Sequence, residues 1–148
     1  MMSYRYSLAL VLALAACGES DPAAPTPVPS PIPQIDGTWV YDEILRGSSH
    51  VSCRYAGTVT ITQSGSIFVG MGVAGAGDCT DPTIDNAEPF TLTGQVNGTR
   101  VSFLTERDCR FAGEVSGSPP HGFIGLETCE WGVSGTTDTF KGTWSATR

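Results

Sequence analysis

The sequence predicts an all-β protein: a single antiparallel, eight-stranded up-and-down barrel that follows a disordered N-terminal tether. No stretch repeats its apolar residues with the period of about 3.6 that an amphipathic helix requires. Short runs of alternating apolar and polar residues recur instead, with turn-forming residues between them. The composition agrees, since 18 of the 148 residues are glycine and Val, Ile, Thr, Phe and Trp are spread through the second half.

Eight such runs follow one another in residues 35–148, the span that we assign to the barrel domain. They are Thr38–Leu45, Arg54–Thr62, Ile67–Ala74, Pro89–Val96, Thr99–Glu106, Cys109–Ser116, Gly122–Glu130 and Thr139–Thr147. Consecutive hairpins form a meander, and closing a meander removes its unpaired edge strands. The tripeptide Gly-Thr-Trp occurs at 37–39 on the first run and again at 142–144 on the last. This repeat favours pairing of the first and last strands to close the barrel.

One hairpin has a strong two-residue turn signal. Asn97-Gly98 favours a tight hairpin turn because both positions need a positive φ, which these residue types adopt readily. A turn at these two residues places Leu92 opposite Phe103, so that the apolar residues of both strands share one face.

A second hairpin has a predicted three-residue turn at 64–66. This turn places Val59 opposite Met71 and Ile61 opposite Val69. Together the hairpins predict a set of apolar residues that point into the barrel. They are Trp39, Val59, Ile61, Val69, Met71, Leu92, Val101, Phe103, Phe111, Val115, Phe123 and Trp144.

The first 16 residues have the composition of an export signal. Arg5 is followed by the apolar run Ser7–Ala16, which is shorter than the roughly 20 residues that a membrane-spanning helix needs. Small residues end this run, and a cysteine follows directly. The stretch Leu14-Ala15-Ala16-Cys17 resembles the lipobox of bacterial lipoproteins.

This resemblance implies that residues 1–16 are a lipoprotein signal peptide and that Cys17 becomes the lipid-bearing first residue. It implies a thioether-linked diacylglycerol and an amide-linked acyl chain such as palmitate, and more than one chain makes a stable anchor. The next residue is Gly18 rather than Asp. In the Gram-negative sorting pattern this implies the outer membrane, with the domain facing the periplasm or the cell surface.

Residues 17–34 form a proline-rich linker in this interpretation. Six prolines alternate with small residues between Gly18 and Gln34, so the segment cannot bury a core and is expected to remain extended and disordered. At about 3.1 Å per residue it reaches roughly 50 Å. The expected role is that of a spacer between the lipid anchor and the barrel.

The charge distribution limits the class of partner. All 15 acidic residues lie after Cys17, and Arg5 is the only basic residue before it. Such an acidic surface argues against binding to nucleic acid and against attraction to anionic lipid headgroups. The lipid on Cys17 is therefore the expected contact with the membrane.

The remaining cysteines predict disulfides. Cys53, Cys79, Cys109 and Cys129 form an even set in a chain with an export signal. A turn at 118–120 places Cys109 directly opposite Cys129, and the preceding hairpin brings Cys53 near Cys79, with a small bulge. We therefore predict the pairs Cys53–Cys79 and Cys109–Cys129. A zinc site is not expected, because no Cys-x-x-Cys pair occurs.

The Gly-x-Trp on the first strand, the eight-strand meander and the terminal Trp strand resemble the calycin group, which comprises lipocalins and avidin-like barrels. The resemblance covers residues 36–148 and implies a lipocalin-like barrel with an interior that holds a small ligand. Candidate ligand contacts are Trp39, Met71, Phe103, Phe111, Glu127 and Trp144. Glu127 is included because strand alternation places it on the same face as Phe111 and Val115, where it is expected to contact a ligand or to pair with Arg110 or Arg54.

Motifs for catalysis, cofactors or metals are weak in this sequence. The acidic residues Asp78, Asp81, Asp85 and Glu88 share one long loop, which is either a solvated loop or a calcium site. No cofactor and no metal are assigned.

The leading hypothesis is a non-enzymatic binding module for a small apolar ligand or an envelope protein. The alternatives are a structural or accessory lipoprotein with a barrel filled by side chains, and an enzyme of unrecognised type.

Overall fold

A computed structural model describes residues 31–75, 77–84, 89–133 and 135–148, without the side chains of residues 132, 133 and 136. The predicted signal peptide, Cys17 and most of the linker lie outside the described residues. The described strands are β1 (Gly37–Gly47), β2 (Ser52–Ser64), β3 (Ile67–Ala74), β4 (Asp78–Cys79), β5 (Pro89–Asn97), β6 (Arg100–Thr105), β7 (Arg110–Ser116), β8 (Gly122–Val133) and β9 (Thr136–Thr147). The part of the chain that the structure describes contains no helix of the length and hydropathy that a membrane crossing requires.

The eight long strands form a closed antiparallel barrel. Each pairs with its neighbour in the chain, and β1 pairs with both β2 and β9. The prediction of an all-β, up-and-down barrel closed by the first and last strands is therefore confirmed. The two-residue strand β4 pairs with the beginning of β2, next to the part of β2 that pairs with β3.

The two ends of the barrel differ in what they carry. Residues 31–36 lead into β1, and the chain leaves β9 at the same end, which we call the proximal end. The β2–β3, β5–β6 and β7–β8 turns lie at this end as well. The opposite, distal end carries the β1–β2, β3–β5, β6–β7 and β8–β9 connections. The distal end is therefore opposite the end at which residues 31–36 enter β1.

Alternation along each strand separates the interior from the surface. On β1, Trp39 and Tyr41 are buried while Val40 between them is exposed. Several inward positions are glycines, and large rings occupy the space that they leave. A Cβ atom added at Gly72 would lie 2.1 Å from the ring of Phe90. A small barrel can hold so many aromatic rings only because facing positions have no side chain.

The hairpin between β5 and β6 has a different turn from the one predicted. The turn residues are Gly98 and Thr99, with Gly98 at a φ of 59°, and Phe103 lies opposite Gly94 instead of Leu92. The predicted pairing of Leu92 with Phe103 is wrong. The shift in the register is two residues, which keeps every side chain on its predicted face.

The register of the β2–β3 hairpin differs from the predicted register by one residue, and this shift changes which side chains point into the barrel. The turn contains two residues, 65 and 66, so that Ile61 lies opposite Gly70 and Val59 opposite Gly72. A one-residue slip moves every side chain of a strand to the other face. Val69 and Met71 are therefore 51% and 60% exposed, and the prediction that they line the interior is wrong.

Most other predicted interior residues are buried. Phe103 is partly buried and packs against the core, and the remaining nine are buried. They are Trp39, Val59, Ile61, Leu92, Val101, Phe111, Val115, Phe123 and Trp144.

Both predicted disulfides are present. Cys53 pairs with Cys79 between β2 and β4, with Cα atoms 4.0 Å apart. Cys109 pairs with Cys129, with Cα atoms 4.1 Å apart, because the β7–β8 hairpin has the predicted register. Both bonds lie at the distal end, where they join neighbouring strands close to the barrel mouth.

Candidate functional site

In the described part of the barrel, a cavity near the distal end and a cavity near the proximal end differ in character. The distal cavity has a volume of about 40 Å³ and is lined by Tyr41, Glu43, Tyr55, Ala74, Phe90, Thr105, Arg107, Cys109, Phe111 and Trp131. The proximal cavity has about 20 Å³ and is lined by Val59, Ile61, Phe68, Leu92, Val101, Phe103, Phe123, Trp144 and Ala146. One water molecule needs at least about 10–15 Å³ of such volume. The distal cavity therefore has room for a few water-sized groups, and the proximal cavity is nearly filled.

Aromatic rings fill the proximal half of the barrel. The ring of Phe103 stacks on that of Phe111 with centroids 4.4 Å apart, and its edge contacts Trp144 at 5.1 Å. The ring of Trp39 lies 4.2 Å from that of Phe123. Four of the predicted ligand contacts thus pack against other rings of the core, and only Phe111 among them also lines the distal cavity.

Trp39 is held at the proximal end from both sides. Its indole N–H donates a hydrogen bond of 2.9 Å to the carbonyl of Ile35. The guanidinium of Arg148 lies 4.3 Å above its ring, at a distance typical of a cation–π contact. These contacts connect the segment before β1 and the end of β9 to the core, which indicates a structural role for Trp39.

The distal cavity has aromatic walls. The rings of Tyr41 and Phe90 meet edge to face at 5.8 Å, and those of Tyr55 and Trp131 meet edge to face at 6.3 Å. These rings are held by strands β1, β2, β5 and β8, so they are fixed by the barrel itself. The cavity consequently has a rigid, largely apolar wall.

Two carboxyl groups meet beside this cavity. Glu43 on β1 lines the cavity, and Glu127 on β8 is only 2% exposed. Strand β9 lies between them, where Gly142 is the partner of Glu127 and has no side chain to separate the two acids. The inward direction predicted for Glu127 agrees with the structure, but the residue that it meets is another acid.

Burial raises the pKa values of both carboxyl groups above the ordinary value for glutamate, so both keep their protons to a higher pH. Burial, together with the charge and hydrogen bonding of Glu43, raises the pKa of Glu127 to about 10. Burial also raises the pKa of Glu43 to about 7, against the opposing effects of a hydrogen bond to Glu127 and the charge of Arg107. At neutral pH, Glu127 therefore keeps its proton, and Glu43 is partly ionised.

The Glu127 carboxyl lacks a close partner. Within the described ranges, neither of its oxygens has a partner at conventional hydrogen-bond distance, so its interaction with Glu43 is longer than a normal hydrogen bond. The hydroxyl of Thr105, a residue that lines the cavity, is also buried without a partner there. The site thus contains unused donors and acceptors, which is uncommon in a folded interior.

The arginines predicted as partners of Glu127 lie elsewhere. Arg54 is on the outer surface, where its guanidinium pairs with Asp42 at 2.7 Å. Arg110 is exposed on β7. Both predictions are wrong because alternation places these arginines outside the barrel while Glu127 points inward.

Sequence reasoning missed Glu43. A signal was available, since Trp39, Tyr41, Glu43 and Leu45 occupy every second position of β1 and therefore share its inward face. The pairing with Glu127 has no such local signal, because it depends on β9 folding back between β1 and β8.

One connection at the distal mouth is fixed by Asp138. Its carboxylate accepts hydrogen bonds from the backbone N–H groups of Ser48 at 3.0 Å and Ser49 at 3.1 Å, and from both serine hydroxyls. These hydrogen bonds hold the pKa of Asp138 down, at about 2. The β1–β2 connection is therefore tied to β9 by an ionised carboxylate.

The acidic loop has no assembled metal site in the described residues. Asp81 accepts hydrogen bonds from the backbone N–H and the hydroxyl of Thr83, at 2.9 and 2.7 Å. Asp85 and Glu88 lie outside the described residues. Within the ranges that the structure covers, no group of three or more His, Cys, Asp or Glu side chains is placed to hold a metal ion.

Comparison with known proteins finds solved structures of low sequence identity. No protein-family model matches the sequence, and no curated protein matches it either. The structure of EF1p2_mFAP2b bound to DFHBI is 12% identical with a TM-score of 0.41, and the match covers 76% of this chain and 92% of that one. A fluorescence-activating β-barrel designed de novo is 18% identical with a TM-score of 0.38, with the same coverage of 76% and 92%.

A natural protein is also similar in fold. The S-type phycobiliprotein lyase CPES from Guillardia theta is 9% identical with a TM-score of 0.48, and the match covers 77% of this chain and 88% of the lyase.

Proposed function

We propose that this chain is a lipid-anchored cell-envelope protein whose barrel binds a small ligand, without catalysis, in the distal cavity. The observation that carries the proposal is the buried Glu127 carboxyl beside a cavity with aromatic walls. Burying a carboxyl without close partners destabilises a fold by several kcal/mol unless something compensates. Perturbed carboxyls of this kind concentrate at functional sites.

The orientation of the barrel supports this role. The linker joins the proximal end, so the distal cavity opens away from the expected lipid on Cys17. A linker that reaches roughly 50 Å leaves that mouth accessible in the surrounding compartment. A binding site presented in this way can meet either a free small molecule or a partner protein of the envelope.

We propose binding in preference to catalysis because of how the two acids are placed. Hydrolysis with two carboxyl groups requires both to face a common cleft that holds the substrate. Here Glu43 lines the cavity, whereas Glu127 is fully buried beside it. The pair can hold one negative charge on Glu43 and one proton on Glu127 at a fixed place in the barrel.

A second candidate function is that of a structural or accessory lipoprotein. The filled proximal half and the small volumes of the distal and proximal cavities favour it. In that case the barrel serves as a rigid holder for its connecting loops. This candidate differs from the first in predicting no bound small molecule.

The anchor is tested by metabolic labelling. The wild-type protein is expected to incorporate a labelled fatty-acid precursor, and Cys17→Ala is expected to lose that label completely because the thioether cannot form. Ser20→Ala, a change in the same linker, serves as the control and retains the label. A labelled Cys17→Ala variant, or an unlabelled wild-type protein, would show that the anchor assignment is wrong.

The binding site is tested by native mass spectrometry of protein purified from its own host. The wild-type protein is expected to carry an additional small mass, and Ala74→Leu is expected to lose it because the larger side chain fills the distal cavity. Val73→Leu is the matched control, since Val73 is the adjacent residue and points outward. A mass that remains in Ala74→Leu, or a wild-type protein without one, would favour the structural role.

A further inference from the structure

We propose that the distal cavity selects the head group of a ligand that bears an ammonium group, with Glu43 as its anionic contact. The inference rests on the proposed function and names the ligand class for the same site. Its basis is the combination of one carboxylate and several aromatic side chains around a small cavity.

The size of the cavity limits what can enter it. Its volume of about 40 Å³ corresponds to a few water-sized groups. A compact head group such as a methylated ammonium fits this space, and the rest of the ligand must then project through the distal mouth. This requirement agrees with the position of the cavity at the end of the barrel.

The aromatic lining favours a cation. Tyr55, Phe90, Phe111 and Trp131 surround the cavity. The faces of such rings attract cations, and groups of aromatic side chains are a recurrent means of binding quaternary ammonium groups. A neutral apolar group gains from the same walls only the ordinary benefit of burial.

Glu43 supplies the carboxylate for an ammonium group, and Arg107 is the cation that opposes it. The groups that act on it are Glu127 on β8, Arg107 in the β6–β7 connection and Asp42 on β1 itself. A cation in the cavity lies beside Glu43 and favours its ionised form, while the buried Glu127 retains its proton. Arg107 opposes the cation, so the selectivity depends on Glu43 together with the aromatic walls. Arg107 also lines the cavity, where one of its nitrogens lies 3.5 Å from the Pro89 carbonyl.

Three probes of the same shape and different charge test the proposal. Choline carries the cation, dimethylbutanol is its neutral carbon isostere, and dimethylbutyrate is an anion of similar shape. Calorimetric titration of the intact protein at about pH 8 is expected to show choline binding about tenfold more tightly than either other probe. The indole signal of Trp131 is expected to shift in the NMR spectrum, which locates the bound probe.

Variants connect the selectivity to named side chains. Glu43→Gln is expected to reduce choline affinity about tenfold, and Glu114→Gln, an exposed acid on β7, is expected to leave it unchanged. Arg107→Gln is expected to strengthen choline binding and to weaken dimethylbutyrate binding. This second variant keeps the test informative if Glu43→Gln does not fold.

The outcomes separate this inference from the proposed function. Tighter binding of dimethylbutanol or dimethylbutyrate than of choline would overturn the ammonium proposal and leave a binding site in place. Absence of binding by all three probes, together with no retained mass in native mass spectrometry, would overturn both.

A further comparison separates two sources of the same head group. Vesicles of phosphatidylcholine that compete with free choline would identify a lipid as the source, whereas competition by soluble choline alone would identify a free small molecule.

Discussion

Replacing Glu127 with Gln is expected to raise the free energy of unfolding at about pH 8 by roughly 3 kcal/mol. The amide has the shape of the protonated carboxyl and needs no proton to remain buried. In the native protein, burial raises the pKa of Glu127 to about 10 and that of Glu43 to about 7, from an ordinary value of 4.5. The native state therefore holds more protons than the unfolded state above pH 4.5.

The sign of the pH dependence follows from this difference. The stability of the wild-type protein is expected to fall as the pH rises above 4.5, through about 7 for Glu43 and on to about 10 for Glu127. Asp138 does not reverse this trend, because its pKa is lowered from 3.8 to about 2 and its contribution is lost only at lower pH. Urea unfolding at about pH 5 and about pH 8 measures the slope.

A matched variant gives the control for this prediction. Glu114 lies on the neighbouring strand β7 and is exposed, so Glu114→Gln is expected to keep the wild-type pH dependence. In Glu127→Gln, most of the dependence of stability on pH is expected to be absent. The prediction is contradicted if wild-type stability rises from about pH 5 to about pH 8, or if Glu127→Gln is the less stable protein at about pH 8.

Trp39→Ala is expected to destabilise the barrel by about 3–5 kcal/mol. Trp39 is 0% exposed, its ring lies 4.2 Å from that of Phe123, and its indole donates to the Ile35 carbonyl. Removing the ring leaves a cavity at the proximal end and releases both the segment before β1 and the side chain of Arg148. Denaturant titration measures the loss.

The neighbouring residue supplies the comparison for Trp39. Val40 is 60% exposed and points outward from the same strand, so Val40→Ala is expected to change stability by less than about 0.5 kcal/mol. Trp39→Phe is expected to fall between the two, because it keeps an aromatic ring and loses the hydrogen bond. If Trp39→Ala is within about 1 kcal/mol of the wild-type protein, the proximal rings do not form the core described above.

The fold class could be predicted because alternation is a local property. Period-two patterns identify strands, and the repeated Gly-Thr-Trp suggested the pairing of β1 with β9 that closes the barrel. The Cys109–Cys129 bond follows from the same reasoning, because β7 and β8 pair in the register that the predicted turn requires. Each of these features depends on residues that are close in the chain or on simple counting along a hairpin.

Two kinds of feature could not be predicted in this way. A turn of two residues in place of three moved Val69 and Met71 to the surface, since register in a hairpin depends on the length of its turn. The meeting of Glu43 with Glu127 depends on the diameter of the barrel and on Gly142 in the strand between them. Alternation along each strand is enough to predict that Glu43 and Glu127 both point inward. It does not predict that the two side chains lie close together.

Carboxyl-carbon NMR of glutamate-labelled protein tests most directly the claim that a buried acid pair forms the ligand site. One signal, assigned by its loss in Glu43→Gln, is expected to titrate near 7, and one, lost in Glu127→Gln, is expected to stay protonated towards 10. Adding choline at neutral pH is expected to shift the Glu43 signal to its ionised position. Titration of both carboxyls near the ordinary value of 4.5, with no response to choline, would contradict the account.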